Sequence, residues 1–522
     1  MQIGVNLKKT LFLILPFIAG LLLFVHAWFT SYPISIDYSG DFVFYHISIS
    51  YWISIPLLLT SMCLIAFTTK KDYLKWLLSL GIVLVLYSLV FFYFSIPTSD
   101  SQYFRGLTEY FSSTKDLNPL ISRHAYYQWP SFFLLSAIIS SITGLSLMTF
   151  EFVLYIVIIF LLATGLYVYT SKIFKKGGFL SVIAFFVVML GFVEIQAVPF
   201  SLAFALLLLI FNLETKPRTS STFLVLCLLI ISITLTHAFI PLFFMVYSLL
   251  RSIFDRKKYL SLLFFSLVSY FLIQVTIARL SIARNILQVI SFNSEMPSLI
   301  ESTLTPILIP FDVIAQTFSR TVIITLAAIC VLGFVIMVLK RKVRSVDLTL
   351  FLTGLFYFGS GIFFYTLGYR ALILLMVPIS LGVAYLFDRP RRLIKYGFVI
   401  LITVLLIFST FIIIHRSFSD RIFYQTQKTY NTANFIIERY NWGKPTYLLA
   451  DYRTTRYLET KLSISPNFLN YWDEIKKADV ILYTLGLETE LLDGNYSLET
   501  ILPKINVFYN NGYSYVVTNP NK

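Results

Sequence analysis

The stretch 124–146, HAYYQWPSFFLLSAIISSITGLS, decides how the whole chain is threaded. Its apolar part, 130–147, is long enough to be mistaken for a membrane crossing. Counting it as one splits the basic clusters between two sides. Laying it along the surface, or letting it re-enter, puts every cluster on one side: LKK at 7–9, KKDYLK at 70–75, KIFKK at 172–176, KPR at 216–218, RKK at 256–258, KRKVR at 340–344 and RPRRLIK at 389–395. Lysine and arginine concentrate in cytoplasmic loops, so the second threading is the expected one, with the N-terminus cytoplasmic and the C-terminus outside.

That reading presumes a membrane, and composition requires one. Of 522 residues, 57% are hydrophobic and only 13% charged, with a mean hydropathy of +0.79. No water-soluble core uses so much apolar surface, so lipid must be the solvent for most of the chain. Long apolar runs recur at 10–30, 43–67, 76–96, 149–170, 178–196, 198–212, 220–237, 238–254, 259–278, 320–340, 348–366, 370–387 and 396–415. They predict about thirteen transmembrane helices, several near the ~17-residue lower limit. The run at 10–30 is long for a signal-peptide core and lacks a small-residue cleavage site, so it reads as retained. The net charge of +15 is spread over the loops as topology signals, which argues against nucleic acid as a partner. Cys63, Cys227 and Cys330 lie inside apolar runs and form neither a disulfide framework nor a metal-ligand spacing.

Three parts follow from the pattern: an N-terminal transmembrane hairpin (1–70), a transmembrane core (71–415) with a large outer loop at 97–148, and a polar tail (416–522). In the tail, helical spacing at 418–440 precedes strand-like TYLLA (446–450) and DVILYT (479–484). It ends in a hairpin, NVFYNNGYSYVV (506–517), that turns on Asn-Asn-Gly. Alternating helix and strand predict a small extracytoplasmic α/β domain.

Ionisable residues near lipid are expensive and therefore informative. The outer ends of the spans hold Asp100, His124, Glu194, His237, Arg279, Arg284 and Arg370, while the mid-span positions noted are almost free of charge. A transporter would place charge or unwound helix near the midplane. Asp100, in FSIPTSDSQYFRGLTEYF (94–111), is placed to act as a base on a hydroxyl; it could equally cap a helix beginning near Gln102. Arg105 and Glu109 read as a surface pair one turn apart. Tyr126, Tyr127 and Trp129 could stack on sugar faces or anchor at the headgroups. His124 could polarise a substrate or be a solvated loop histidine. Glu194, in a tight outer turn, could bind an acceptor or simply be a polar turn residue. His237, in LTHAFIP, reads as a binding or a packing residue. Arg370, in GYRALILLMVPIS, could clamp a phosphate with two parallel hydrogen bonds or snorkel to the interface.

Taken together, a span ending near 96, SDSQYF (99–104) and YYQWPSFFLLSAIISSITGLS (126–146) resemble the GT-C superfamily of polyprenyl-phosphate-sugar-dependent glycosyltransferases. The similarity is to the archaeal and bacterial membrane proteins grouped with protein mannosyltransferases, and it extends to LTHAFIP, the outer GYR and the terminal YNNGYSYVV. The resemblance implies a GT-C-like helical fold in the cell membrane. It also implies an inverting transfer from a polyprenyl-phosphate-linked sugar to a glycan, lipid or protein acceptor outside, with Asp100 as catalytic base and Arg370 on the lipid phosphate. Many members carry two adjacent acids in that loop; here Ser99 and Ser101 flank Asp100, so neither a metal nor any other cofactor is expected. Rival readings are a transporter or flippase of lipid-linked glycans, a polymerase using Arg279 and Arg284, and a membrane scaffold.

Overall fold

The computed structural model describes residues 2–34, 43–93, 99–114, 129–192, 197–214, 219–254, 256–276, 310–360, 365–388, 392–419 and 435, and five short strands beyond them. Helices dominate up to residue 419. Among the described residues, six helices are long and apolar enough to cross a membrane: α1 (Gln2–Ser31), α3 (Ile49–Thr68), α7 (Leu147–Ser171), α13 (Pro310–Leu339), α15 (Tyr365–Asp388) and α16 (Arg392–Ser419). Leucine, isoleucine, valine and phenylalanine surround each of them, so large apolar side chains remain exposed on the outward faces, among them Leu22, Phe29, Leu339 and Ile400. Such surfaces are stable only against hydrocarbon, and a helix satisfies its backbone there internally. The chain is a polytopic helical membrane protein.

Each apolar run coincides with a described helix, but the expected lengths are not all reached. α4 (Asp72–Leu86), α8 (Gly178–Phe192), α9 (Pro199–Glu214), α10 (Ser220–Thr236), α11 (Phe239–Arg251) and α14 (Ser345–Ser360) have 13 to 17 residues. α12 (Arg256–Thr276) has 21, of which 259–273 is the apolar part. α4 gives way to a 3-10 turn at 88–92 inside its apolar run, whereas Pro199, the Thr219 cap and the extended backbone at His237 bound α9 and α10 at the limits of runs that are themselves short. α2 (Val43–His46) is a single turn.

Helix ends sort into two groups. At one, the Lys75 ammonium donates to the Lys175 carbonyl (3.4 Å) and Lys172 to that of Asn212 (3.0 Å). Tyr247 donates to Glu214 (2.7 Å) and Arg251 to Ser345 (2.7 Å). Tyr169 donates to Asp347, which Arg344 clamps through two bonds of 2.9 Å. These residues neighbour the basic loops, so those loops share one end of the bundle. The other end carries Trp28 stacked on Tyr32 (centroids 5.2 Å apart), as suits a membrane–water boundary. α1 and α3 form a hairpin, and α3 packs in turn on α4 and α16.

α5 (Ser99–Thr114) and α6 (Ser131–Thr143) pack on each other and on the first turns of α7. At 13 residues, α6 is about 20 Å long, well short of the ~30 Å hydrocarbon core. It stops where Gly144 takes a left-handed conformation (φ 69°), and Ser146 then caps α7 by accepting from the Thr149 amide. Leu135, Ile138 and Ile142 form an exposed stripe along it, while Phe132, Phe133, Ser136 and Ala137 face the protein.

The strands beyond residue 446 form one sheet in the order β2-β1-β3-β5-β4. β1 (Tyr447–Leu449) runs parallel to β2 (Asn467–Phe468) and β3 (Val480–Tyr483); β3 runs antiparallel to β5 (Tyr515–Thr518), and β5 to β4 (Asn506–Asn510). The segments flagged as strand-like do pair; the helical stretches expected around them lie outside the described residues.

Candidate active site

The candidate site is assembled at the end opposite the basic loops. α5 begins at Ser99, which puts Asp100 in its first turn rather than ahead of a helix starting near Gln102. A carboxylate there is favoured by the unpaired amides and positive dipole end of the helix. Phe104 and Leu107 are buried and Phe111 is half-buried, at the spacing of one helical face. Phe104 meets Phe132 edge-on (5.6 Å) and Phe111 meets Phe133 (6.0 Å), so this face docks on α6.

Arg105 departs from its expected role. It is 2% exposed and its Nη1 lies 3.5 Å from Oε2 of Glu151 on α7, itself 9% exposed. Arg105 is therefore not a surface residue: α5 is covered by α6 and α7, and a buried carboxylate on α7 lies beside its guanidinium. Sequence reading passed over Glu151. The signal was present: it is the only charged residue in 146–171, and a lone acid inside an apolar run marks a partner or a function.

Three other helices, distant in sequence, meet at the same end of the bundle. His237 ends α10 in extended backbone and is 2% exposed. Its Nδ1 accepts from the Phe239 amide (3.1 Å), which leaves the ring proton on Nε2. Phe200, in the first turn of α9, meets the His237 ring edge-on at 5.4 Å, and the half-buried Arg370 guanidinium lies 5.6 Å from the same Phe200 ring. Because Nδ1 accepts, the ring carries a single proton and the imidazole is neutral. Two predicted residues, His237 and Arg370, are thus brought together by a third, Phe200, that the sequence did not single out.

Trp129 is 5% exposed at the start of α6, inside the protein rather than on its surface. His124, Tyr126, Tyr127 and Glu194 lie outside the described residues, as do Arg279 and Arg284. Among the described residues no three metal-ligating side chains converge. Chemically, the end of the bundle offers a cation and a neutral N–H donor beside an aromatic face, on the same end as a helix that opens on a carboxylate.

No protein-family model matches this chain, and no curated protein sequence does. Among solved structures it is similar to the crystal structure of ArnT from Cupriavidus metallidurans in the apo state. That match has a TM-score of 0.44 and 11% identity, covering 80% of this chain and 93% of that one. It is also similar to the Archaeoglobus fulgidus oligosaccharyltransferase in complex with Zn and sulfate, with a TM-score of 0.48 and 13% identity, covering 85% and 73%. The fold is that of a polytopic helical membrane protein in which Arg370, Phe200 and His237 meet at one end of the bundle.

Proposed function

We propose that this protein is a membrane glycosyltransferase of the GT-C type, moving a sugar from a polyprenyl-phosphate donor to an acceptor at the external face. The observation that carries this reading is the grouping of Arg370, Phe200 and neutral His237 at the end opposite the basic loops. A guanidinium held there, beside apolar walls, suits a phosphate whose lipid chain lies in the bilayer. Asp100 takes the proton of the acceptor hydroxyl, the oxygen attacks the anomeric carbon, and the carbon–oxygen bond to the phosphate breaks with inversion. Arg370 neutralises charge developing on the departing polyprenyl phosphate. His237, Trp129, and the aromatic and polar residues His124, Tyr126, Tyr127 and Glu194 would line the donor and acceptor sites. The thirteen helices would all cross or nearly cross the membrane, and 416–522 would fold outside as an α/β lid.

The test is turnover: purified protein is mixed with a panel of polyprenyl-phosphate sugars and released polyprenyl phosphate is measured. Acceptor-dependent release from at least one donor is expected. Movement of intact donor across a vesicle membrane without release would replace this reading with the flippase.

Two further results are expected. Arg370→Lys keeps the charge but loses the fork, so the donor KM should rise about tenfold, the scale of one charge-assisted hydrogen bond, with the acceptor KM unchanged. An equal rise in both would remove Arg370 from the donor phosphate. Cysteines introduced singly at Ser113 and Ser497, with Cys63, Cys227 and Cys330 removed, should react with a membrane-impermeant reagent in intact cells. Protection of both would invert the topology.

A further inference from the structure

We propose that Phe200 is the positioning residue of the phosphate site: its ring seats the Arg370 guanidinium and so sets where that cation is presented. This rests on the assignment of Arg370 to the lipid phosphate. Arg370 stands half-buried in α15, at the residue where the long apolar stretch of that helix begins. A cation so placed needs something to hold it. The ion pairs among the described residues are Arg105–Glu151 and Arg344–Asp347, and Arg370 belongs to neither. Its contact is aromatic instead. The guanidinium carbon lies 5.6 Å from the centre of the Phe200 ring, within the ~6 Å reach of a cation–π attraction.

The kind of partner matters for the chemistry. A carboxylate would cancel the charge of Arg370 and compete with a phosphate for its N–H groups. A ring attracts the cation through its quadrupole and leaves the charge to be met by the ligand. The ring is itself fixed by its neighbours. Pro199 opens α9 and sets the backbone that carries Phe200 in the first turn. Phe204, one turn on and 2% exposed, stacks with Phe200 (centroids 6.5 Å apart, planes 20° apart) and rests in turn on Phe185 (6.1 Å). His237, held by the Phe239 amide, meets the ring edge-on at 5.4 Å. A free arginine side chain samples many rotamers, and ordering it before the ligand arrives lowers the cost of binding. A braced ring does that ordering.

The test weakens the quadrupole of the ring while nearly keeping its shape, so a ring that only fills space would not register it. Phenylalanines carrying one, two or three fluorines are introduced at position 200 of the full-length protein, with Arg370 or with Arg370→Gln. Binding of radiolabelled undecaprenyl phosphate, a polyprenyl phosphate without sugar, is measured in detergent solution. With Arg370 present, Kd should rise stepwise with fluorine number, by about threefold to fivefold at the end of the series, the scale of one half-exposed cation–π contact. Arg370→Gln should weaken binding about tenfold and flatten the series, because the ring then has no cation to hold. A flat series with Arg370 present, where Arg370→Gln still weakens binding, would overturn the role of Phe200 and leave Arg370 on the phosphate. A series as steep in Arg370→Gln as with Arg370 would put the ring against the ligand itself and overturn the proposal equally. Wild-type affinity in Arg370→Gln would take Arg370 off the phosphate, and the role of Phe200 with it.

Discussion

Gly382→Ala is expected to abolish most of the yield of folded protein. α13 and α15 cross backbone to backbone: a methyl group on Gly382 would overlap the Cys330 carbonyl oxygen and the Phe334 amide nitrogen, and one on Gly333 would come within 2.8 Å of the Gly382 Cα. Each glycine is the space the other helix occupies, the close approach that small residues permit in membrane bundles. Because the clashing atoms are main chain, no rotamer relieves them and the helices must move apart. We expect a cost of about 3 kcal/mol, at the upper end of overpacking effects. Gly397→Ala is the control: that glycine is helical, but a Cβ there meets nothing within 4 Å. Its variant should be neutral or slightly stabilised. The measurement is monodisperse yield and melting temperature after detergent extraction. Equal values for the two variants would mean that α13 and α15 do not cross at these glycines.

The second large effect is catalytic. Asp100→Asn preserves size and most hydrogen bonding but removes the charge that makes the group a base. Transfer should fall by ~10²–10⁴-fold, the usual contribution of a general base. Folding should be little changed, because losing the charge from the first turn of α5 costs only about 0.3–1 kcal/mol. A base and a helix-terminal polar residue therefore predict opposite outcomes from one substitution. Full activity in Asp100→Asn would return the chain to the flippase or scaffold readings.

How legible these features were depended on whether lipid or a neighbouring helix decided them. The apolar runs could be read directly because lipid acts on one segment at a time. The segment 130–147 could be set aside as a crossing because counting it would split the basic clusters; that Gly144 ends its helix at 13 residues only the structure reveals. The strands at 480–483 and 506–518 announced themselves by β-branched and aromatic runs around Asn-Asn-Gly; β2, two residues long, carries no such signal. Helix length was overestimated at 76–96, where α4 stops at Leu86 within continuous apolar sequence, whereas the break at His237 was legible. The site was half legible. An arginine and a histidine at span boundaries were conspicuous, whereas Phe200, which joins them, is one phenylalanine among 51. Arg105 reads as a surface residue because Glu109 stands one turn away, and only tertiary packing reveals that it is buried beside Glu151.

The central claim, transfer through Asp100, is tested most directly by a single-turnover measurement. Enzyme in excess is loaded with a polyprenyl-phosphate sugar found to be a donor, acceptor is added, and lipid phosphate release is followed in wild type and Asp100→Asn. The account predicts a rate lowered ~10²–10⁴-fold in the variant, with donor loading unchanged. Equal release rates in both proteins would contradict it.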